Sequence, residues 1–460
     1  MMELKGKRVL VVGLGKSGLA AALFLRRQGA QVTVSDVRSA ESLAGEIPAL
    51  LDEGIMVEAG GHGVLTFRRQ DLIVVSPGVP LNTPELEQAR SFGRPIIGEL
   101  ELAARFLKGN ILAITGSNGK TTTTALAGEI LKEAGMQALV AGNIGVPVVG
   151  LIEESSPETW LVLEVSSFQL ETTEQFHPRI AAILNITPDH LDRHGSFENY
   201  ALAKERIFAA QDEHDFVVLN ADNARAAEAA SRSKAQVYWF SMEHPVSPGA
   251  WVEDGWVVYR AAHEGAVERI LPLKKIPLKG EHNVENVLAA VCATCLAGAP
   301  AEAVARAIEN FRAVEHRLEF VASIRGVEFY NDSKATNVDA TAKAIAAFDG
   351  GVHLILGGKD KGAPYTVLTP LLRERVRAVY TVGSAAAKIE SQLRGVVSIH
   401  SCATLDKAVH AAADAARPGE IVLLAPACSS FDQFENYEQR GRVFKDLVEE
   451  RRRWNACQRG

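Results

Sequence analysis

An apolar run, Ile111-Leu112-Ala113-Ile114, breaks off into the turn Gly116-Ser117-Asn118-Gly119-Lys120-Thr121, which continues as a row of threonines and then a helical pattern. A strand, a glycine loop and a helix in that order aim backbone N–H groups and the positive end of a helix at a polyphosphate. In such a loop Lys120 would reach the terminal phosphates and the Thr121 hydroxyl would sit on Mg2+. The generic G-x-x-x-x-G-K-[ST] form wants glycine at position 114, where Ile114 stands. A plain glycine turn before a helix therefore stays open at this point.

The other glycine motif lies near the N-terminus. Residues 8–12 (RVLVV) read as a buried strand, followed by Gly13-Leu14-Gly15-Lys16-Ser17-Gly18, a helix from Leu19 to about Gln28, and a second strand ending at Asp36. This is G-x-G-x-x-G with an acid about twenty residues on, the pattern of a dinucleotide site. The nicotinamide reading is set aside because the domain closes by about residue 98 and no later segment offers a hydride-transfer site. A UDP group satisfies the same pattern.

With 460 residues and roughly 150 per domain, the chain should form about three domains. A net charge of −7 argues against general attraction to nucleic acid or membrane. No apolar run approaches the ~20 residues that span a bilayer, and MMELKGK enters a strand instead of a signal peptide. A cytoplasmic protein is expected. Five cysteines, an odd number, make no disulfide framework. Cys292-x-x-Cys295 lies in an alanine-rich helical pattern with no matching second pair, so buried helix cysteines are expected over zinc or redox chemistry.

From Glu99 onward the chain alternates strands and helices. Gly142-Asn143-Ile144-Gly145 closes one passage, and the strand Trp160–Leu163 delivers Glu164 at its carboxyl end. Ligands of open α/β sheets gather there, which makes Glu164 a candidate Mg2+ ligand, a helix N-cap acid being the alternative. Ile180–Leu184 leads to Asn185-Ile186-Thr187-Pro188-Asp189-His190-Leu191-Asp192-Arg193-His194. Two histidines four apart could bind zinc on a helix. Pro188 and the polar density argue for a loop, so His190 is expected to touch Mg2+ or substrate. Phe197–Ala210 reads as a helix on which Lys204 is by default a surface lysine. Residues 216–275 read as further strands, and Gly280–Asn286 opens the helix with the two cysteines.

From about residue 314 the composition resets. Two strands follow Glu315-His316-Arg317-Leu318, and then come Asn331-Asp332-Ser333-Lys334-Ala335-Thr336-Asn337 and an alanine-rich helix. Strands at Val352–Leu356, Ala378–Val382 and Ile421–Leu424 end in polar or glycine-rich loops, among them Gly357–Gly362 and Ala425–Phe434. A third α/β domain with its loops facing one cleft is expected. The polar tail EERRRWNACQRG should fray after its helix. The expected boundaries are 1–98, 99–313 and 314–460.

At these residues the chain resembles the Mur ligase family over essentially its whole length. TGSNGKTTT is similar to that family's own shortened phosphate loop, which answers the objection over Ile114. NITPDHLDRH, GEHNVEN and EHRLE resemble segments shared across the family, including its folylpolyglutamate-type relatives. SPGVP and the uridine-type first domain narrow the resemblance, and NDSKATN, LGGKDKG and PACSSFDQFENYEQRG resemble the branch that adds D-glutamate. The resemblance implies an N-terminal Rossmann-like uridine-nucleotide domain, a central P-loop-type ATPase domain and a C-terminal Rossmann-like domain. It implies a monomeric, ATP-dependent amide-forming ligase of peptidoglycan precursor synthesis. UDP-N-acetylmuramoyl-L-alanine and D-glutamate would be joined through an acyl phosphate. Another Mur-type or folylpolyglutamate-type amino-acid ligase is the alternative.

Carried over residue by residue, Gly116, Ser117, Asn118, Gly119, Lys120, Thr121 and Thr122 would hold the ATP phosphates, with Lys120, His190 and Lys204 in catalysis. Two Mg2+ sites would draw on Thr121, Glu164, His190 and Lys204, the last as a carbamylated lysine. Asn283 would contact adenine, and Arg317 and Asp332 would reach phosphate and ribose. Leu14, Lys16 and Ser17 would meet the diphosphate, with Asp36 and Arg38 near uracil and ribose. Asn143 would hold the acyl-alanine portion, and Lys334, Thr336, Lys361, Ser430 and Phe431 would form the D-glutamate pocket. A nicotinamide oxidoreductase accounts only for residues 8–36, and an NTPase switch only for residues 111–126 and Glu164. A nucleotide-sugar amino-acid ligase gives all three domains work.

Overall fold

The computed structural model describes residues 2–312 and 314–457; the tail EERRRWNACQRG, expected to fray, instead continues the last helix as far as Cys457, and its final three residues lie outside the described residues. The fold is α/β throughout, built on three sheets whose strands are mostly parallel. Short apolar runs such as RVLVV and LIVV are buried on both faces, the signature of strands covered by helices on each side.

The first sheet has strands β1 (Arg8–Val12), β2 (Gln31–Asp36), β3 (Met56–Ala59), β4 (Leu72–Val75) and β5 (Ile96–Gly98) in the order β3-β2-β1-β4-β5, all parallel. Strand order reverses between β1 and β4, so the loops that follow them emerge side by side, where a ligand crevice forms in such sheets. The helix between β1 and β2 runs Lys16–Arg27, starting three residues before the expected Leu19, because Gly15 already serves as its N-cap.

The second sheet contains β6 (Asn110–Thr115), β7 (Ala138–Gly142), β8 (Trp160–Glu164), β9 (Ile180–Ile183), β10 (Phe216–Asn220), β11 (Gln236–Ser241), β12 (Gly249–Glu253), β13 (Trp256–Arg260) and β14 (Glu268–Pro272). Their order is β14-β13-β12-β11-β10-β9-β6-β8-β7, with antiparallel pairing only in β12-β13-β14. The phosphate-loop strand β6 lies between β9 and β8. The loops after all three open at one edge. The helix expected over Phe197–Ala210 is α-helical over Phe197–Glu205 and tightens to a 3-10 turn at Arg206–Phe208.

The third sheet has β15 (Glu319–Ile324), β16 (Val327–Asn331), β17 (Val352–Gly357), β18 (Val376–Val382), β19 (Ser398–Ala403) and β20 (Ile421–Leu424) in the order β15-β16-β20-β17-β18-β19. Only β15 runs antiparallel to its neighbour. The closing helix is Tyr437–Cys457.

The chain divides into two compact units. One runs from the N-terminus to Lys275 and takes in Glu285–Asn310; the other consists of Ile276–Val284 with everything from Phe311 on. The first unit contains two sheets because one apolar cluster joins them, from Val9 and Val11 through Leu100 and Val148 to Leu161 and Ala181. Burying each Leu, Ile or Val of that cluster contributes about 1.5–3 kcal/mol.

Candidate functional site

The turn after β6 has a shape that only glycine allows. Gly119 sits at φ +85°, and a Cβ there would meet Asn286 Oδ1 at 2.1 Å; a Cβ on Gly116 would meet Leu184 Cβ at 3.0 Å. The loop after β9 stitches to this turn. Ser117 N donates to Asn185 O (2.9 Å), and Asn118 N to Asn185 Oδ1 (2.9 Å). Ser117 Oγ donates to Thr187 O at 2.9 Å and lies 3.1 Å from Tyr200 OH. The helix Lys120–Glu133 follows, with no side-chain cap and no acid in its first turn, and with Thr121 and Thr122 buried. Its positive end faces the turn, which suits an anion.

Two lysines converge on the turn. Lys120 Nζ donates to Gly116 O (2.8 Å) and Ser117 O (2.9 Å), and Lys204 Nζ donates to the same Gly116 O at 2.8 Å. Lys204 is 1 % exposed, so the default reading of a surface lysine is replaced by a buried one at the loop. Burial, aided by repulsion from Lys120, pushes its pKa well below that of an ordinary lysine, while Asp189 and Glu164 pull the other way.

Glu164 ends β8 fully buried. Its Oε1 accepts from Asn143 Nδ2 at 2.7 Å, whereas Oε2 is buried and has no hydrogen-bond partner. An anionic oxygen shut away from water without a donor is costly, and a hard cation would satisfy it. A buried carboxylate oxygen of this kind, at the end of the strand beside the phosphate loop, fits Mg2+.

His190 caps the short helix Leu191–His194 at φ +52°. Its ring meets Phe168 edge-on at 4.9 Å, and its Nε2 lies 3.7 Å from Asp189 Oδ2. His194 faces other partners, Ser167 Oγ at 3.0 Å and Glu171 at 3.2 Å, so the two histidines do not form a pair on one ion. Arg193 Nη2 donates both to Glu171 and to Val79 O at 2.9 Å, tying the loop after β4 to this edge of the second sheet. Cys292 is buried and Cys295 partly so in the helix Glu281–Leu296, as expected.

In the first sheet, Asp36 builds the glycine turn. Its Oδ2 accepts from Leu14 N at 2.6 Å, and its Oδ1 accepts from Arg38 N at 2.8 Å. Arg38 Nη2 donates to Leu14 O at 2.8 Å and to the same carboxylate. Burial opposes the Asp36 charge, but these hydrogen bonds outweigh it and hold its pKa below the usual value. Ser76 Oγ donates to Gly13 O at 2.6 Å, joining the β1 and β4 loops. Lys16 and Ser17 open the helix at that turn.

The second unit brings together another set. Asp332 is buried at the end of β16; burial raises its pKa to about 7 against the opposing field of Arg317. The Lys334 ammonium stands 3.8 Å over the Tyr437 ring, and Ser333 Oγ donates to Tyr437 O at 2.8 Å. Thr336 N donates to Lys334 O at 2.7 Å. Across the sheet, Lys359 and Ser429 pair by their backbones, so the loop with Lys361 and the loop with Ser430 and Phe431 lie together. Ser430 is buried and Phe431 is 67 % exposed. Asn283 belongs to this unit, its Nδ2 donating to Lys279 O at 2.7 Å.

Sequence reasoning passed over Asn185, Asp189, Tyr200, Asn286 and Tyr437. Each nonetheless lies in a segment that the sequence analysis quoted. Asn286 reaches the phosphate loop from a helix far along the chain, and no local pattern announces that.

Three family models match the chain: "Mur ligase MurD-like, N-terminal domain" over residues 7–98, "Mur ligase middle domain" over 114–294, and "Mur ligase, glutamate ligase domain" over 316–428. A protein of Acidobacterium capsulatum named UDP-N-acetylmuramoylalanine--D-glutamate ligase is 69% identical over 447 residues, covering 97% of each chain. One of the same name from Koribacter versatilis is 60% identical, covering 97% of this chain and 98% of that one. Among solved structures, UDP-N-acetylmuramate-alanine ligase MurC from Thermotoga maritima shares the fold at a TM-score of 0.61 and 20% identity, over 96% of this chain and 99% of that one.

Proposed function

The chain belongs to the Mur ligase family, and from that premise we propose that it joins D-glutamate to UDP-N-acetylmuramoyl-L-alanine with ATP. The supporting observation in the fold is the convergence of Lys120 and Lys204 on Gly116 O, next to a buried Glu164 with one unpartnered oxygen. That arrangement suits phosphoryl transfer, in which positioning and charge neutralisation do most of the catalysis.

In this reading the N–H groups of Gly116–Thr122 and the Lys120 ammonium hold the β- and γ-phosphates. The muramoyl-alanine carboxylate attacks the γ-phosphorus, giving an acyl phosphate and ADP. The amine of D-glutamate then adds to the acyl carbon, and inorganic phosphate leaves as the amide forms. Asn143 holds the alanyl portion. Leu14, Lys16 and Ser17 bind the diphosphate, and Asp36 and Arg38 shape the uridine end. Lys334, Thr336, Lys361, Ser430 and Phe431 receive D-glutamate, whose two carboxylates suit two ammonium groups beside hydroxyl donors. Asn283, Arg317 and Asp332 contribute to nucleotide binding.

Thr121, Glu164, His190 and Lys204 would hold Mg2+ at two sites, where the metal supplies neutralisation of phosphate charge. The depressed pKa of Lys204 favours the neutral amine, the form that takes up CO2 as a carbamate and so becomes an anion. The domains are assigned as 1–98, 99–313 and 314–460. The enzyme works as a cytoplasmic monomer; among the described residues no helix is long and apolar enough to cross a membrane.

The test is phosphate release from ATP with Mg2+. Release that requires both the UDP-linked alanine substrate and D-glutamate bears the reading out. Release with neither partner would point to a plain NTPase, and preference for another amino acid would point to a sister ligase.

A further inference from the structure

We propose that Arg440 is a positioning residue of the amino-acid pocket, holding its three loops in register and lending it a buried positive charge that, among the described residues, is in no ion pair. The inference rests on the assignment of D-glutamate to this pocket in the preceding subsection.

Arg440 lies on the helix Tyr437–Cys457 and is 1 % exposed, among the largest fully buried side chains of the molecule. Its Nε donates to Ser333 Oγ at 3.0 Å, and its Nη2 donates to Ser333 O at 2.8 Å and Cys428 O at 3.2 Å. The remaining arm lies against a glycine turn: a Cβ on Gly358 would come within 3.1 Å of Nη1. Ser333, Cys428 and Gly358 follow β16, β20 and β17, three neighbouring parallel strands. Their loops leave the sheet side by side and carry Lys334 and Thr336, Ser430 and Phe431, and Lys361 respectively. One planar fork thus touches every loop that the pocket needs.

The charge is the second part of the argument. All the acceptors are neutral, and among the described residues Arg440 forms no ion pair; Asp432 acts on it only from a longer range. Burial lowers its pKa to about 10, which leaves it charged at neutral pH. A buried unpaired cation is costly. A site that binds a dicarboxylate gives that charge a counterpart, and the rigid guanidinium cannot be replaced by a point ammonium without losing the fork.

The experiment measures KM for D-glutamate, ATP and the UDP-linked substrate, with melting temperatures, in wild type, Arg440→Gln, Arg440→Lys and Ser333→Ala. Arg440→Gln is expected to raise the KM for D-glutamate at least about tenfold and to leave the other two within about twofold. Arg440→Lys, which keeps charge but not the fork, should fall between it and wild type. Ser333→Ala, which removes one acceptor, should raise the same KM a few-fold. Should Arg440→Gln fail to fold, the other two variants decide by the same split. An unchanged KM for D-glutamate, or an equal rise in all three constants, overturns the proposal while wild-type turnover upholds the ligase reading. A wild type whose phosphate release ignores D-glutamate overturns both.

Discussion

Glu164 and Glu99 are both buried carboxylates with one oxygen bonded and one without a partner, yet their surroundings assign them opposite chemistry. Glu164 lies in the field of a buried lysine at the end of a strand beside the phosphate loop. Glu164→Gln keeps the shape and the Asn143 contact but removes the charge a cation needs. Phosphate release should fall about 10²- to 10³-fold, as when one preorganised electrostatic contact is lost, with a higher Mg2+ requirement. Activity within twofold of wild type across a Mg2+ titration would remove Glu164 from the site. Glu99 faces only backbone, accepting from Val149 N at 2.7 Å, and burial raises its pKa to about 7. Because the folded value lies above the ordinary one of 4.5, its contribution to stability is complete at low pH and is lost as pH rises through 7. Glu99→Gln should therefore gain on wild type between pH 5 and 8 by on the order of 1–3 kcal/mol in urea unfolding. Parallel pH profiles for the two proteins would refute this. Sequence spacing could suggest Glu164, since an acid at a strand end beside a phosphate loop is legible. It could not suggest Lys204, whose burial depends on a contact with Gly116, 88 residues away.

At the scale of elements, the glycine motifs were legible because Gly13, Gly18, Gly116 and Gly119 each answer a local steric demand, whereas Gly15 has open space where a Cβ would be. Gly18 is the sharpest case: a Cβ there would meet Gly13 O at 1.9 Å and Ser76 Oγ at 2.7 Å. The helix Lys16–Arg27 can approach β1 only with hydrogen at that position. Gly18→Ala should push helix and turn apart, costing about 1–3 kcal/mol of stability and raising the KM for the UDP-linked substrate more than that for ATP. Thermal unfolding and steady-state kinetics check the two parts, and a variant with wild-type values in both would show that the close approach does not matter. The strands themselves were legible as apolar runs, Arg8–Val12 and Ile421–Leu424 to the residue and the other bounded runs within one or two residues. Their order was not. Nothing in residues 110–183 says that β6 pairs with both β8 and β9 while β7 takes the edge, because pairing partners are chosen by packing across long loops.

The whole molecule, over its described residues, has three sheets but two compact units, and physical continuity explains the smaller number. The expected boundary at residue 98 falls inside a continuous apolar cluster that includes Ile97, Leu100, Leu102 and Val148. At the other end, the short segment Ile276–Val284 belongs to the unit of the third sheet although the helix it leads into continues in the other unit. Lys279 Nζ donates to Tyr330 OH at 2.5 Å and also stands over that ring, and a Cβ on Gly280 would touch Ala347 at 3.1 Å. His282 is the group of this segment whose pKa is shifted into the acidic range. Burial, with Lys343 and Arg317 adding repulsion, lowers its pKa from 6.5 to about 4. A depressed histidine contributes stability above its ordinary pKa, and that contribution is lost as pH falls toward the folded value. Hydrogen exchange of the amides in 276–284, corrected for intrinsic rates, should therefore lose about ten- to a hundredfold protection between pH 6.5 and 4. His282→Leu should keep its protection over the same range, since it has no proton to take up. Protection in the wild type that stays level through that window would show that His282 does not hold the segment.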